Sequence, residues 1–567
     1  MNDLIKSYLG GGEGKQVYEW NPPESFKDKT PQEYSRHLAV FIKKYQWLTS
    51  ARTIDFFIDD LWQLVPEDWR DDLLELTDEE SIQFTTGNVI KENWNESLKE
   101  FINDAKRLWM PRDVLREDKD WNVKDFSLPS LKLKMNAKKL HEILRMSELL
   151  DDCIKSIQPS QVVDIGSGEG YLTQVLSHQF NQSITAVDCS QSFIQGAIKR
   201  QNVIENELVG RLIQEKNKTS KVSKQTNQIN QINQNNNNVN LNQMDKEKKE
   251  DGKEKDGIPK KIKKKLTKEE QDLIVEQKRK ERLEKRQEIM NEIGVSGPQM
   301  CVATLRPEMT TEEFLEILTR HDQSKDYSNT MLVGLHTCGS LASTMITNYV
   351  RCDNISSIVD VGCCYYRVTQ HPYQYMSKQC GDLGVVMGAA DLKLSCESSE
   401  RSYSISQNGL DEYRYSMDVH FYRVIFETLL GKNHNYTIRS IPRNHSQNFQ
   451  SYSLYALKRI NNQSKQEEEK EKEDTTSTTS TTNIVPPSIE ELNDTYERFK
   501  KDKNKISILL LLRGLLAPVL EAFIVIDRWL YLEETKQQST RPMSSYIIPI
   551  FHESLSPRNL VLLSIKQ

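Results

Sequence analysis

The sequence predicts an α/β fold: a Rossmann-like sheet behind a helical N-terminal region, interrupted by disordered insertions. Three features carry that prediction. Short apolar runs alternate with helical stretches from Gln161 onward, a glycine-rich turn follows the first run, and two closing runs are parted only by a turn. Strands covered on both faces read as continuous apolar segments, and their alternation with helices marks a parallel sheet.

Residues 1–134 read as helical. Thr30-Pro31-Gln32-Glu33 is a helix start, with Thr as N-cap, Pro in the first turn and Glu placed to cap back. Tyr34, Leu38, Phe41 and Tyr45 follow at helical spacing, and further helices are expected over Ser50 to Val65 and Asn93 to Leu108. Trp47, Trp62, Trp69, Trp94 and Trp109 are expected in the core, because aromatic rings dominate burial.

Residues 135–202 hold the first part of the sheet domain, with strands at Gln161 to Ile165 and Ser183 to Val187 around a helix at Tyr171 to Gln179. Residues 203–295 form an insertion rich in Asn, Gln and Lys. It cannot bury enough apolar surface to offset its chain entropy, so disorder or a solvated helix of coiled-coil composition is expected. The sheet resumes over 296–370, with runs at Met300 to Leu305, Met331 to Leu335 and Ser357 to Val361. A further inserted region, 371–460, and a low-complexity linker, 461–488, precede the closing helix and hairpin of 489–567. Surface loops tolerate such insertions because closure cost grows only logarithmically with length. The hairpin strands are Tyr546 to Phe551 and Asn559 to Ile565, around Ser556-Pro557.

A net charge of -6 excludes a general polyanion binder, so nucleic-acid contact would come from local basic patches. The N-terminal residues show no secretory h-region. The apolar run Ile506 to Ile526 contains Arg513, Pro518 and Glu521, which suits a buried helix better than a membrane span. Nine cysteines without a signal peptide indicate free thiols in a reducing compartment. A cytoplasmic or nuclear protein, neither secreted nor membrane-bound, is expected; Pro259 to Lys265 is basic enough for a nuclear import signal or an RNA-phosphate patch.

The strongest local signal is Val162-Val163-Asp164-Ile165-Gly166-Ser167-Gly168-Glu169-Gly170. Its glycines allow close backbone approach to a ligand, and the helix that follows offers unpaired N–H groups. Asp188 ends the next strand, where a carboxylate can accept ribose hydroxyls. An acid that begins the motif favours S-adenosylmethionine over NAD, whose fingerprint starts at glycine. Asp164, Gly166, Ser167, Gly168, Gly170 and Asp188 are therefore the expected cofactor-binding residues. The third strand offers no acid for an adenine amino group.

Two further loops should lie at the carboxyl ends of strands, where ligands of open parallel sheets bind. They are Gly334 to Leu341 and Asp360 to Tyr366. His336, Cys338, Cys363 and Cys364 could bind a metal, but H-x-C and C-C are not the usual ligand spacings. A cysteine could act as a nucleophile toward a pyrimidine. The favoured reading makes the cysteines small packing residues, with His336 and Tyr365 in contact with ligand and no metal assigned. His336, Tyr365 and Cys338 are thus the candidate catalytic residues. Asn21-Pro22-Pro23-Glu24 copies an N-P-P motif but stands far from the fourth strand.

With these motifs in order, the chain resembles the methyltransferase-like protein 25 family, whose relatives include ribosomal RNA adenine dimethylase domain-containing proteins. The resemblance rests on Lys138-Lys139-Leu140-His141-Glu142, the Val163 to Gly170 turn, Gly334-Leu335-His336-Thr337-Cys338-Gly339, Val361-Gly362-Cys363-Cys364-Tyr365 and Ser554 to Leu560. It implies a class I, seven-stranded methyltransferase sheet and methyl transfer from S-adenosylmethionine. The His-x-Cys-Gly and Cys-Cys pair is also similar to a tRNA ribose 2'-O-methyltransferase family, in which His follows Cys-Cys; here Tyr365 does. An RNA acceptor, tRNA or rRNA, is the leading expectation. A protein methyltransferase and a binding protein that has lost catalysis are the alternatives, and the oligomeric state is left open.

Overall fold

Seven strands form one sheet in the computed structural model, which describes residues 2–9, 17–116, 121–122, 125–236, 268–292, 294, 297–320, 326–397, 409–431, 438, 440–471 and 487–567. The strands are β1 (Gln161–Ile165), β2 (Ile184–Asp188), β3 (Gln299–Val302), β4 (Thr330–Cys338), β5 (Ile355–Cys363), β6 (Met543–Pro549) and β7 (Leu560–Lys566). Their order is β3-β2-β1-β4-β5-β7-β6. The first five are parallel, and β7 runs antiparallel to both β5 and β6. The expected α/β, Rossmann-like sheet is present, and the chain reverses its strand order beside β1, where such sheets bind ligands.

The apolar strands divide their side chains between two cores, because successive residues face opposite sides. Val162, Met331, Val333 and Val359 face one core, and Val163, Leu332 and Ile358 face the other. On the first side lie α3 (Ala137–Ile157) and α4 (Tyr171–His178), after α1 (Pro31–Lys44) and α2 (Glu96–Leu108) of the N-terminal region. The second core joins α1 and α2 to two later helices, α8 (Gly409–Leu430) and α9 (Lys503–Thr535), so these four share one helical layer. Between them in sequence come α5 (Gln191–Asn236), α6 (Lys268–Glu292) and α7 (Ser340–Arg351).

Helix α1 starts as expected: the Thr30 side chain accepts from the Glu33 N–H, and Glu33 caps back. Ser50 to Val65, expected as an α-helix, instead holds two 3-10 turns, Thr53–Asp55 and Leu61–Leu64. Asp60 between them is left-handed (φ 47°), a conformation that no continuous right-handed helix can contain. Trp62, Trp69 and Trp94 are buried, and Trp47 and Trp109 pack against the same core. By length and composition α9 lies in a stretch that could cross a membrane, but 83% of that apolar window is buried inside the fold. It is the central core helix, with Pro518 inside it.

The described parts of 203–295 are helical. Helix α5 enters the insertion and α6 returns from it, and the two pack against each other. Ile204 and Met290 are buried, Arg286 pairs with Glu205 at 3.1 Å, and Lys216 pairs with Glu292 at 2.6 Å. Residues 237–267, with the basic run, and 472–486 of the linker lie outside the described residues.

Candidate functional site

The glycine turn links the carboxyl end of β1 to α4. Gly166, Gly168 and Gly170 all have positive φ, from 57° to 71°. The turn forms the floor of a cavity of about 390 Å³ lined by Lys139, Glu142, Asp164, Phe193, Leu335 and His336 as well as the loop itself. That volume is in the range of small-molecule sites. A Cβ built on Gly168 would meet nothing within 4 Å, so the space beside it is open to a ligand. Ser167 also lines this cavity, and its hydroxyl is buried with no hydrogen-bond partner. Buried polar atoms are normally paired, so an orphaned hydroxyl in a cavity points to a polar ligand.

Asp164 is buried and accepts a hydrogen bond from the Thr173 hydroxyl. Burial pushes its pKa up to about 6; the Thr173 bond lowers it in part and the nearby Asp188 raises it again. Asp188 grips the turn from behind: its carboxylate accepts from the N–H groups of Gly168 (2.9 Å) and Ser190 (2.8 Å). Two oxygens engaged once each keep further lone pairs for ribose hydroxyls. Phe193, 48% exposed although aromatic, forms an apolar wall.

His336 reaches this cavity through a bulge. Leu335 pairs with Val361 and Thr337 with Gly362, so His336 has no partner on β5, and its φ is 66°. A bulge re-aims a side chain in this way. The His336 Nε2 lies 3.1 Å from the Glu142 carboxylate on α3. Burial alone would raise the pKa of Glu142, but His336, the Ser556 hydroxyl and Lys138 together hold it below its ordinary value. Thr337, next along, donates to Asp360 at 2.6 Å.

The other expected catalytic residues sit elsewhere. Cys338 turns toward Cys363, with their sulfurs 3.5 Å apart. Tyr365 points into the core, where its hydroxyl donates to Glu521 at 3.1 Å. Glu521 is buried between the guanidinium groups of Arg112 and Arg558. The expectation that Tyr365 shapes a ligand pocket therefore gives way to a structural role: the buried carboxylate captures its ring.

A family model described as a methyltransferase domain matches residues 138–371. Probable methyltransferase-like protein 25 of Mus musculus is 22% identical over 469 residues, covering 76% of this chain and 75% of its own length. The Homo sapiens protein of the same name is 21% identical over 489 residues, with the same coverage. The chain carries a methyltransferase domain and is similar to methyltransferase-like protein 25. No solved structure matches it.

The matched methyltransferase domain starts within α3 and ends just past β5, so it holds every cavity-lining residue. Reading the sequence placed Asp164, Gly166, Ser167, Gly168 and His336 at what is the cavity, with Gly170 as the N-cap of α4. It missed Glu142, Lys139, Tyr171 and Phe193. Lys139 lies 4.0 Å from the Tyr171 ring centroid, and Arg200 packs against the same ring at 3.7 Å. The signal for Phe193 was its place five residues past Asp188, at the head of α5. Glu142 gave no signal of its own beyond the Lys-Lys-Leu-His-Glu resemblance.

Proposed function

We propose that the chain is an S-adenosylmethionine-dependent methyltransferase acting on RNA. The carrying observation is the cavity above the Asp164 to Gly170 turn, where an unpartnered Ser167 hydroxyl, a buried carboxylate and an apolar wall meet. These groups fit the cofactor. Asp164 would take its ammonium, Ser167 and the turn's backbone its polar groups, Asp188 its ribose, and Phe193 with Leu335 its base. Bound there, S-adenosylmethionine supplies an electrophilic methyl on a sulfonium.

The protein's remaining task is to align an acceptor and remove its proton. His336 is suited to this. With its Nε2–H donated to Glu142, its Nδ1 is the free acceptor, a tautomer assigned from the hydrogen bond. Nδ1 would take the proton that the acceptor atom gives up on methylation. RNA is the favoured acceptor because Lys139 places a cation at the cavity wall, where a phosphate can be held. The His-x-Cys-Gly and Cys-Cys resemblance to a tRNA-methylating family points the same way.

The first test is calorimetric binding of S-adenosylmethionine to the chain and to an Asp164→Ala/Asp188→Ala variant, followed by labelled-methyl transfer to RNA. Binding lost in the variant, with label released by ribonuclease, is expected. Label that survives ribonuclease and disappears with protease would make protein the acceptor, and no binding by folded wild type would leave only a scaffold. His336→Ala should lower turnover by roughly 10²–10⁴-fold while cofactor affinity holds. Unchanged turnover removes His336 as the base.

A further inference from the structure

Three thiols from two strand ends meet beside the cavity. Cys338 ends β4, Cys363 ends β5, and Cys364 follows directly. The sulfurs of Cys338 and Cys363 are 3.5 Å apart, and all three lie within 4.8 Å of one another. Zinc–sulfur bonds of about 2.3 Å in a tetrahedron put ligand sulfurs about 3.8 Å apart, so these thiols are already spaced for one ion.

The backbone builds the cluster in two steps. The bulge at His336 shifts the register so that Cys338 comes opposite Cys363. Neighbours on a strand point to opposite faces, which would send the thiol of Cys364 away from that of Cys363. Cys364 is instead left-handed, with φ 44°, and its thiol joins the other two. A residue with a Cβ seldom holds that conformation, and such outliers gather at ligand sites.

We propose that Cys338, Cys363 and Cys364 bind zinc through three thiolates, leaving the fourth tetrahedral position to water or an acceptor atom. Three protein ligands with one open place are the pattern of reactive rather than purely structural zinc sites. Cys363 is buried, whereas Cys338 and Cys364 are partly exposed, so the ion has a closed side and an open one. Zinc with three thiolates carries one net negative charge, and the Arg367 guanidinium faces both Cys338 and Cys364 to offset it. His336 is not counted as a ligand, because the donor atoms that lie within 4.8 Å of one another are the three sulfurs and not its ring nitrogens. The ligands come from separate strands, which is why their spacing in sequence matches no common zinc motif.

The test is elemental analysis of the full chain purified under reductant from zinc-supplemented cells, with a cobalt titration of the stripped protein. About one zinc per chain is expected, along with a thiolate-to-cobalt charge-transfer band. Cys364→Ser should weaken both, with circular dichroism confirming that the sheet is retained. His336→Ala should leave zinc content unchanged; loss of zinc there overturns the ligand set. The proposal is also overturned by substoichiometric zinc with no cobalt band, by zinc retained when all three cysteines are replaced by Ser, or by a Cys338–Cys363 disulfide in the metal-free protein as isolated.

Discussion

The exits of β1 and β5 look alike in sequence, each an acid followed by glycine at the carboxyl end of a buried strand, yet one is open and the other filled. Beyond β1, a Cβ on Gly168 would find nothing within 4 Å. Beyond β5, a Cβ on Gly362 would lie 2.2 Å from the Arg528 guanidinium. Asp164 faces a cavity, while Asp360 is closed in by Thr337 and by the charge of Arg528. Tyr365 then seals the β5 exit by donating to Glu521. The lesson is that a strand end opens into a cofactor-sized cavity only where the protein's own charges do not occupy it first.

The sharpest way to break this contrast is to empty the filled end. Glu521→Ala leaves Arg112 and Arg558 buried without their shared counter-charge, and breaking such a pair costs about 3–5 kcal/mol. A large drop in the denaturant midpoint is expected, and an unchanged midpoint would show that the network is not holding the β5 exit closed. Glycine substitutions divide the two ends by kind of effect. Gly362→Ala forces Arg528 to move and should destabilise by about 1–3 kcal/mol, as overpacking does. Gly168→Ala meets open space, so its cost to folding is only the left-handed strain, about 1–2 kcal/mol, and its main effect should be on cofactor affinity. Equal binding losses from both variants would erase the distinction.

What could be read from the sequence follows the range of the interactions. The β1 turn is local: strand, acid, glycines and helix lie within a few residues, so Asp164, Ser167 and Gly168 were legible. His336 was legible as a loop residue, but its partner Glu142 sits on α3, before β1, and only the folded sheet brings them together. Tyr365 was misread for the same reason, since its direction is set by Glu521 on α9 with Arg112 and Arg558 from opposite ends of the chain. The turns at Ser50 to Val65 depend on a left-handed Asp60, which apolar spacing does not register. The strands were legible as short, mainly apolar runs and the final hairpin by its turn, whereas their order in the sheet emerges only from the folded chain.

The smallest expected effect compares the two buried acids directly. Burial raises both Asp164 and Asp360 to about 6, well above the ordinary carboxylate value. Between the ordinary value and about 6, the folded chain therefore holds protons that the unfolded chain has released. Each acid thus favours the fold at low pH and loses that contribution as pH rises through its folded pKa. Only Asp164 faces a ligand cavity, so only it should register in binding. If the carboxylate is the form that takes the cofactor's ammonium, affinity should fall on the order of tenfold from pH 6.5 to pH 5. Asp164→Asn should bind weakly at both pH values, with the slope gone, whereas Asp360→Asn should keep the wild-type slope. A slope that survives in Asp164→Asn would place the titrating group elsewhere, and one that vanishes in Asp360→Asn would mean that the closed end communicates with the open one.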